Sequence, residues 1–166
     1  MISLPTINKP PAQGIIIYRG PSQINGKPII AVATNLKRSS KNQKTGDIVQ
    51  VYILTDGIKP LKALLNGEDE AICGDCPHRY INGAGTCYVN VAQGPNGVFQ
   101  GINFGTYKTV SPEEAADILE NRFVRLGAYG DPGAIPVKVW ETILQKASGW
   151  TGYTHQWRRS FANGLN

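Results

Sequence analysis

The fold of this chain is decided by residues 123–157, FVRLGAYGDPGAIPVKVWETILQKASGWTGYTHQW. An apolar run at its start predicts a strand, apolar side chains at helical spacing predict a helix over residues 135–147, and residues 151–157 predict another strand. A right-handed crossover through that helix makes the two strands parallel, with their carboxyl ends on one edge of a sheet. Because ligands gather at such edges, Asp131 is expected to lie near His155 and Trp157.

Upstream, the sequence predicts antiparallel strands instead. Two β-rich runs, Ile15–Arg19 and Pro28–Thr34, flank Asn25-Gly26, a dipeptide typical of hairpin turns. Residues 47–55 predict a third strand, and residues 59–69 predict a short helix. The expected fold class is therefore α+β (mixed α/β), with an N-terminal β-hairpin plus strand, a Cys-rich metal loop and a C-terminal parallel βαβ-like unit.

Single residues mark where other elements begin or end. Gly67 is suited to end the first helix, and Ser111 is a good N-cap for a helix that continues to residue 122. Residues 87–93 predict a short strand. Four glycines interrupt residues 94–107, and the segment has room for one helical turn.

Length and composition are those of one globular domain. The chain has 166 residues and a net charge of +5, and a chain of this length buries about two thirds of its unfolded surface without help from a metal. Residues 1–14, rich in Pro, Asn and Gln, predict an extended N-terminal arm, and residues 15–166 predict a single globular domain. Neither a secretory signal nor a membrane-spanning run is recognised, so a cytoplasmic location is expected.

All three cysteines of the chain lie in one glycine-rich loop, beside one of its two histidines. The spacing is Cys73-x2-Cys76-x-His78-x8-Cys87, so two thiols project from one tight turn and the third returns after a reversal of the chain. Three thiolates and an imidazole form a common tetrahedral zinc set. A reducing compartment also disfavours a structural disulfide. The sequence therefore predicts a zinc site made by these four side chains.

Alternatives to that zinc set stay open. His155 or a water molecule could replace His78 as the fourth ligand, and a water would leave an open position for catalysis. An iron–sulfur cluster held by the three cysteines is the alternative cofactor, although the spacing differs from the usual CxxxCxxC pattern. Buried thiols with no metal are the remaining alternative.

Aromatic and basic side chains near the ends of the two C-terminal strands suit nucleic acid, because rings stack on bases and arginines pair with phosphates. Alternation along residues 151–157 would place Tyr153, His155 and Trp157 on one face. Asp131 and His155 are candidates for proton-handling catalytic groups. A packed aromatic face with solvated arginines is the structural alternative. The candidate binding residues are Arg125, Tyr129, Tyr153, Trp157, Arg158 and Arg159.

Five segments together resemble an uncharacterised family encoded by phages, prophages and plasmids. They are IYRGPSQINGKPIIAV, KTGDIVQVYIL, CGDCPHR…TCYVNV…GP, RLGAYGDP and TGYTHQWR, and they cover nearly the whole chain from Tyr18 to Arg158. The resemblance implies a phage-type accessory protein in the cytoplasm of a host cell, and it supplies no reaction. Longer members continue past the YTHQW segment, so a short or truncated member is expected.

Three functions are compatible with these features. The first is a phage-type accessory protein whose Cys/His metal site supports binding of nucleic acid or of a host protein, such as a host-defence component. The second is a metal-dependent enzyme, with zinc or an iron–sulfur cluster, that acts on nucleotides or nucleic acid. Against it, the chain has neither the HxE motif of zinc deaminases nor a Walker A pattern. The third is a structural virion protein in which a metal is only a staple.

Overall fold

A computed structural model describes residues 13–37, 44 and 46–165. In this part of the chain, six strands form one mixed sheet in the order β4-β1-β2-β3-β5-β6. None of the helices within these ranges is long and apolar enough to cross a bilayer. The strands and helices are β1 (Gly14–Pro21), β2 (Pro28–Thr34), β3 (Val49–Thr55), α1 (Pro60–Asn66), α2 (Glu70–Cys73), α3 (Gly94–Asn103), β4 (Lys108–Thr109), α4 (Pro112–Ile118), β5 (Phe123–Tyr129), α5 (Val137–Ile143) and β6 (Gly149–Gly152), with single 3-10 turns at Pro132–Ala134 and Ser160–Ala162.

The N-terminal half is antiparallel, as predicted. β1 pairs with β2, and β2 pairs with β3. Gly26 takes the positive φ of 75° that the hairpin loop requires, and the Asn25 side chain accepts a hydrogen bond from the Lys27 N–H. β2 forms the centre of the core, because every residue from Ile29 to Ala33 is at most 1% exposed.

The C-terminal half is parallel, also as predicted. β5 runs parallel to β3, and β6 runs parallel to β5. The connection between β5 and β6 passes through the first 3-10 turn and α5, which is shorter than the predicted helix over residues 135–147. Pro136 precedes α5, and the Trp140 indole N–H donates to the Pro132 carbonyl at 3.0 Å, which ties the helix to the turn. The mixed α/β class is confirmed.

The predicted helix ends are mostly correct. Gly67 ends α1 with a φ of 80°. The Ser111 hydroxyl caps α4 by accepting a hydrogen bond from the Glu114 N–H at 3.1 Å. This helix ends at Ile118, earlier than the predicted residue 122.

Two predictions between residues 87 and 107 are wrong. Residues 87–93 form no strand, and α3 is a ten-residue helix where one turn was expected. Packing explains the helix: Val98 is buried, and Phe99 and Ile102 pack against the core. Gly101 lies under the Tyr107 ring, where a Cβ would come within 2.6 Å of a ring carbon. Its missing side chain therefore serves packing and does not break the helix.

The predicted N-terminal arm is only partly covered by the structure. Residues 1–12 lie outside the described residues, and Gly14 already belongs to β1. The described residues after it contribute their strands to one sheet. The arm itself stays a prediction.

Candidate metal and ligand-binding cavity

A cavity of about 340 Å³, termed the main cavity, opens at the carboxyl ends of β5 and β6. Parallel strands commonly present ligand sites at this edge, because the loops that leave them meet there. The end of α2, the cysteine loop, the end of β5 and the residues after β6 all line it. Its lining includes Cys73, Cys76, His78, Cys87, Tyr88, Arg125, Tyr129, Asp131, Tyr153 and His155.

A smaller cavity of about 120 Å³, termed the inner cavity, adjoins the main one. Of these two cavities, Asp69 and Arg79 line the inner one alone. Both spaces share the four side chains that the sequence predicts as metal ligands, together with Tyr129: the shared residues are Cys73, Cys76, His78, Val89, Cys87 and Tyr129. The candidate ligands therefore face both cavities.

The three thiols come from the two ends of the cysteine loop. Cys73 is the last residue of α2, and Cys76 follows the turn at Gly74. Cys87 returns towards them because the His78 carbonyl accepts the N–H groups of Thr86 and Cys87, at 3.2 and 2.9 Å. All three are free thiols; Cys73 and Cys76 are half-buried, and Cys87 is exposed.

The surroundings of two of these thiols raise their pKa values and so favour the protonated form. Burial raises the pKa of Cys73, and the charges of Asp69 and Cys76 raise it further. Burial also raises the pKa of Cys76, with Cys87 and Asp131 acting in the same direction. Ionising them requires a nearby positive charge, which is what a bound cation supplies to thiolate ligands.

The two histidines lie next to each other at the main cavity. Their ring centroids are 5.5 Å apart in an edge-to-face arrangement. The Nδ1 atom of His78 lies 2.8 Å from the Thr86 hydroxyl, so Nε2 is the ring nitrogen left to bind a metal. His155, at the far end of the sequence, thus joins the cysteine loop at one site.

Asp131, which lines the main cavity, accepts hydrogen bonds from two backbone N–H groups. Its Oδ1 accepts the Gly133 N–H at 2.8 Å, and its Oδ2 accepts the His155 N–H at 2.7 Å. The predicted proximity of Asp131 and His155 is therefore confirmed. Because both carboxylate oxygens hold backbone amides and the residue is 5% exposed, Asp131 positions His155, and its candidacy as a catalytic group stays a prediction.

The predicted strand over residues 151–157 is wrong beyond Gly152. β6 ends there because the segment after it turns away to bond Asp131, so alternation does not decide where Tyr153 and Trp157 lie. Tyr153 lines the main cavity and is 81% exposed. Trp157, Arg158 and Arg159 do not line that cavity; the Arg158 guanidinium stacks on the Trp157 ring at 4.6 Å, and Arg159 lies 3.4 Å from Asp75.

Arg125 and Tyr129, both on β5, line the main cavity in different ways. Arg125 donates to the hydroxyl of Tyr88 on the cysteine loop, whose ring is 80% exposed. Tyr129 is 5% exposed, and its buried hydroxyl has no hydrogen-bond partner among the residues that the structure describes. Burial raises the pKa of Tyr129, and charges on Cys73, Asp69 and Cys87 add to the rise.

Sequence reasoning missed the polar contacts that hold the loop. Arg79 forms two hydrogen bonds to the buried carboxylate of Asp69, at 3.1 and 2.6 Å, and one to the Gly74 carbonyl at 2.8 Å. Gln156 is 1% exposed and donates to the Cys73 carbonyl at 3.2 Å. Arg79 belongs to the CPHR motif, but nothing in the spacing indicated that Asp69 pairs with it or that Gln156 bonds the Cys73 carbonyl.

The donor chemistry of the shared wall fits zinc, since it offers three thiols and an imidazole. Those groups are not held in a closed ligand set: across residues 13–37, 44 and 46–165, no group of three or more His, Cys, Asp or Glu side chains is arranged to hold a metal ion. Metal binding would therefore have to bring these side chains closer together than they are in this structure. The zinc set, and its iron–sulfur alternative, stay predictions.

Comparison with known proteins supplies no relative from which a function could be carried over. No protein-family model, no curated protein and no solved structure matches this chain. The function has to be inferred from the chemistry of the two cavities.

Proposed function

We propose that this protein binds single-stranded nucleic acid around the main cavity, and that a zinc ion held by Cys73, Cys76, His78 and Cys87 orders the loop that forms one wall of the site. One observation carries the proposal: the cysteine loop, an arginine and two exposed aromatic rings come together at one cavity. These are the groups that stack on unpaired bases and pair with backbone phosphates.

The aromatic rings support a stacking surface. Tyr88 and Tyr153 are 80% and 81% exposed, and Trp157 is 56% exposed. Rings at such exposure contribute little to the packing of the core and are available for contact with a binding partner. Stacking on a ring contributes about 1 to 3 kcal/mol per base and tolerates any sequence.

Basic charge supports the same partner. The chain carries a net charge of +5, and Arg125 lies on the wall of the main cavity itself. Arg158, beside Trp157, combines a cation with a ring. The main cavity has a volume of about 340 Å³, which is near the lower limit for ligand-binding sites. Such a volume suits a compact ligand, for example one unpaired base.

The contribution of the metal would be to fix the loop. When bound, zinc stabilises thiolates and closes a loop around them. Cys73 and Cys76 are held by α2 and the turn at Gly74. His78 and Cys87 are both exposed, and Cys87 lies on the return of the chain. Ordering that return also orders Tyr88, which follows Cys87 directly.

Fluorescence anisotropy with a labelled 12-nucleotide single strand tests the proposal. We expect affinity to fall steeply with salt, and the Arg125→Ala, Arg158→Ala double variant to lower the slope of log K against log salt by about 1.4, from about 0.7 for each lost phosphate contact. Lys138→Ala, on α5 and away from both cavities, is the control for charge. A duplex of the same sequence should bind more weakly. Absence of binding at low salt would refute the proposal and leave a host protein as the partner.

A second candidate function is a metal-dependent enzyme acting on nucleotides. One observation favours it: His155, with its backbone held by Asp131, stands beside the cysteine loop and not on the opposite face. Incubation of the metal-loaded protein with nucleoside mono-, di- and triphosphates, followed by chromatography, tests it. Turnover that His155→Ala abolishes while metal content is unchanged would establish the enzyme; unchanged nucleotides would leave the binding protein.

A further inference from the structure

A third cavity, of about 410 Å³, shares part of its wall with the main cavity. Four carboxamide side chains line it, and it is termed the carboxamide cavity after them: Asn35, Gln50, Asn90 and Gln93. Among the residues that the structure describes, Arg125 is the one charged side chain of its lining. The cavity thus offers neutral hydrogen-bond donors and acceptors beside a single cation.

Arg125 stands at the boundary between the two cavities, because it lines both. On the sheet it is paired with Gln50 of β3 on one side and with Thr151 of β6 on the other. Its guanidinium donates to the hydroxyl of Tyr88, which also lines both cavities. Within the described part of the chain, no carboxylate forms an ion pair with Arg125. Most of its N–H donors are therefore left for an anion.

The carboxamides are positioned by the fold. Gln50 is 7% exposed, and its Nε2 lies 3.4 Å from the Ile48 carbonyl, so the sheet sets its place. The Asn90 side chain is held through its oxygen, which accepts the Ala92 N–H at 3.1 Å. Gln93 directly precedes α3, and its side chain makes no capping hydrogen bond to that helix. The donor and acceptor of one carboxamide match the N6 amino group and the N7 atom of adenine.

We propose that the two cavities hold two successive nucleotides of a single strand, with Arg125 on the phosphate that joins them and an adenine in the carboxamide cavity. The inference rests on the nucleic-acid proposal above and adds to it a base preference and a place for one phosphate. It does not depend on a metal, since Gln50 and Arg125 lie on strands of the sheet.

The two cavities differ in what they can recognise. No Asn or Gln is among the described residues that line the main cavity, so that cavity accepts any base by stacking. Tyr88 lies at the shared boundary, where its exposed ring is within reach of the base on either side. Base preference is therefore expected at one of the two positions and not at both.

Fluorescence anisotropy with labelled d(CA)6 and d(CT)6 tests the base preference, because these strands have equal length and charge and do not pair with themselves. The wild type should bind d(CA)6 about 5-fold more tightly, the lower end of what one bidentate base contact contributes. The Asn90→Ala, Gln93→Ala double variant should bring the ratio of the two affinities close to one. Gln100→Ala is the matched control, since Gln100 is exposed on α3 and lines neither cavity, and it should keep the wild-type ratio.

The dinucleotide d(CpA) and its uncharged methylphosphonate analogue test the place of the phosphate, as competitors of the labelled d(CA)6 strand. Against the wild type, d(CpA) should compete about 10-fold better, because a hydrogen bond between two charged groups is stronger than one to a neutral group. Against Arg125→Ala, the two competitors should be equal. Lys138→Ala, on α5 and away from both cavities, should keep the wild-type difference.

Equal affinity of the wild type for d(CA)6 and d(CT)6, or a preference that the double variant retains, would overturn the inference and leave the nucleic-acid proposal standing. A methylphosphonate that competes as well as d(CpA) against the wild type would overturn it in the same way. A wild type that binds neither strand at low salt would overturn both proposals. Circular dichroism checks that the variants are folded, and Gln93→Ala alone replaces the double variant if the latter does not fold.

Discussion

β2 and the cysteine loop are neighbours in one small chain, and they are stabilised in opposite ways. From Ile29 to Ala33, β2 is at most 1% exposed and is paired on both sides. Between residues 77 and 90, by contrast, nearly every residue is exposed or half-buried, and the only regular pairing is the bridge between Ile81 and Ala84. The sheet is held by apolar burial, whereas the loop is held by a few polar contacts.

This contrast indicates where a metal would act. The apolar sheet needs no cation, since its strands and the helices against it already form a core. The loop has no core of its own, and the buried ion pair of Arg79 with Asp69 holds only its first part. A metal that joins Cys73 and Cys76 to Cys87 would supply the missing constraint at the second part. The following predictions test whether the sheet is stabilised by apolar burial and the cysteine loop by polar contacts and a metal.

The largest effect is expected in the sheet. Ile53→Ala removes a side chain that is 0% exposed, and such a change costs about 4 kcal/mol through lost burial and the cavity left behind. Leu65→Ala, at a position 64% exposed, should cost less than about 0.5 kcal/mol. Denaturant unfolding of the metal-free proteins measures both. Similar costs at the two positions would contradict the assignment of the core.

The next largest effect is expected at the anchor of the loop. Asp69→Ala leaves the Arg79 guanidinium unpaired in a mostly buried position, which costs about 3 kcal/mol. Asp117→Ala breaks an exposed pair with Lys146 and should leave the unfolding free energy almost unchanged, because solvent screens such pairs. Denaturant unfolding of both variants measures the two losses of stability. If Asp69→Ala is as mild as Asp117→Ala, the loop is not anchored through this pair.

A smaller effect is expected at the turn between the first two cysteines. Gly74 has a φ of 58°, and a Cβ there would lie 2.5 Å from the Gln156 side chain. Gly74→Ala should therefore cost about 2 kcal/mol, from backbone strain and from displacement of Gln156. Gly57→Ala is the matched control, because Gly57 has a φ of 76° with open space around it, and it should cost about 1 kcal/mol. If Gly57→Ala lowers the melting temperature more than Gly74→Ala does, the Gln156 side chain does not restrict the residue at position 74.

The smallest effect on the metal-free protein is expected at the ligands. Cys76→Ser should change the unfolding free energy by less than about 0.5 kcal/mol without zinc, since Cys76 is only half-buried. With saturating zinc, the wild type should gain stability and resist proteolysis within residues 79–87, while the variant should do neither. His78→Ala should behave like Cys76→Ser, and His155→Ala should keep the metal. If zinc protects all of these proteins equally against unfolding and proteolysis, the cysteine loop does not bind the metal.

The sequence predicted those parts of the fold that depend on local signals. Asn25-Gly26 marked the hairpin, Ser111 marked the start of α4, and the strand–helix–strand order after residue 123 predicted the parallel pair β5–β6. It failed where packing overrides local preference: Gly101 is a glycine because the Tyr107 ring lies against it, not because the helix ends.

The candidate site was only half predictable for a similar reason. Spacing placed Cys73, Cys76, His78 and Cys87 in one loop, and crossover handedness placed Asp131 beside His155. Spacing could not show that the segment after Gly152 leaves the sheet to bond Asp131, or that Tyr129 buries a hydroxyl that has no partner within the described part of the chain. Those features arise from contacts between residues distant in sequence, which no local pattern encodes.

Zinc K-edge X-ray absorption of the protein purified without chelator tests the central claim most directly, because it counts the atoms bound to the metal. We predict one zinc per chain with three sulfurs at about 2.3 Å and one nitrogen at about 2.0 Å, and a loss of one sulfur or of the metal in Cys87→Ser. A protein that retains no zinc, or one whose zinc is bound by oxygen and nitrogen alone, would contradict the claim that the cysteine loop is a metal site.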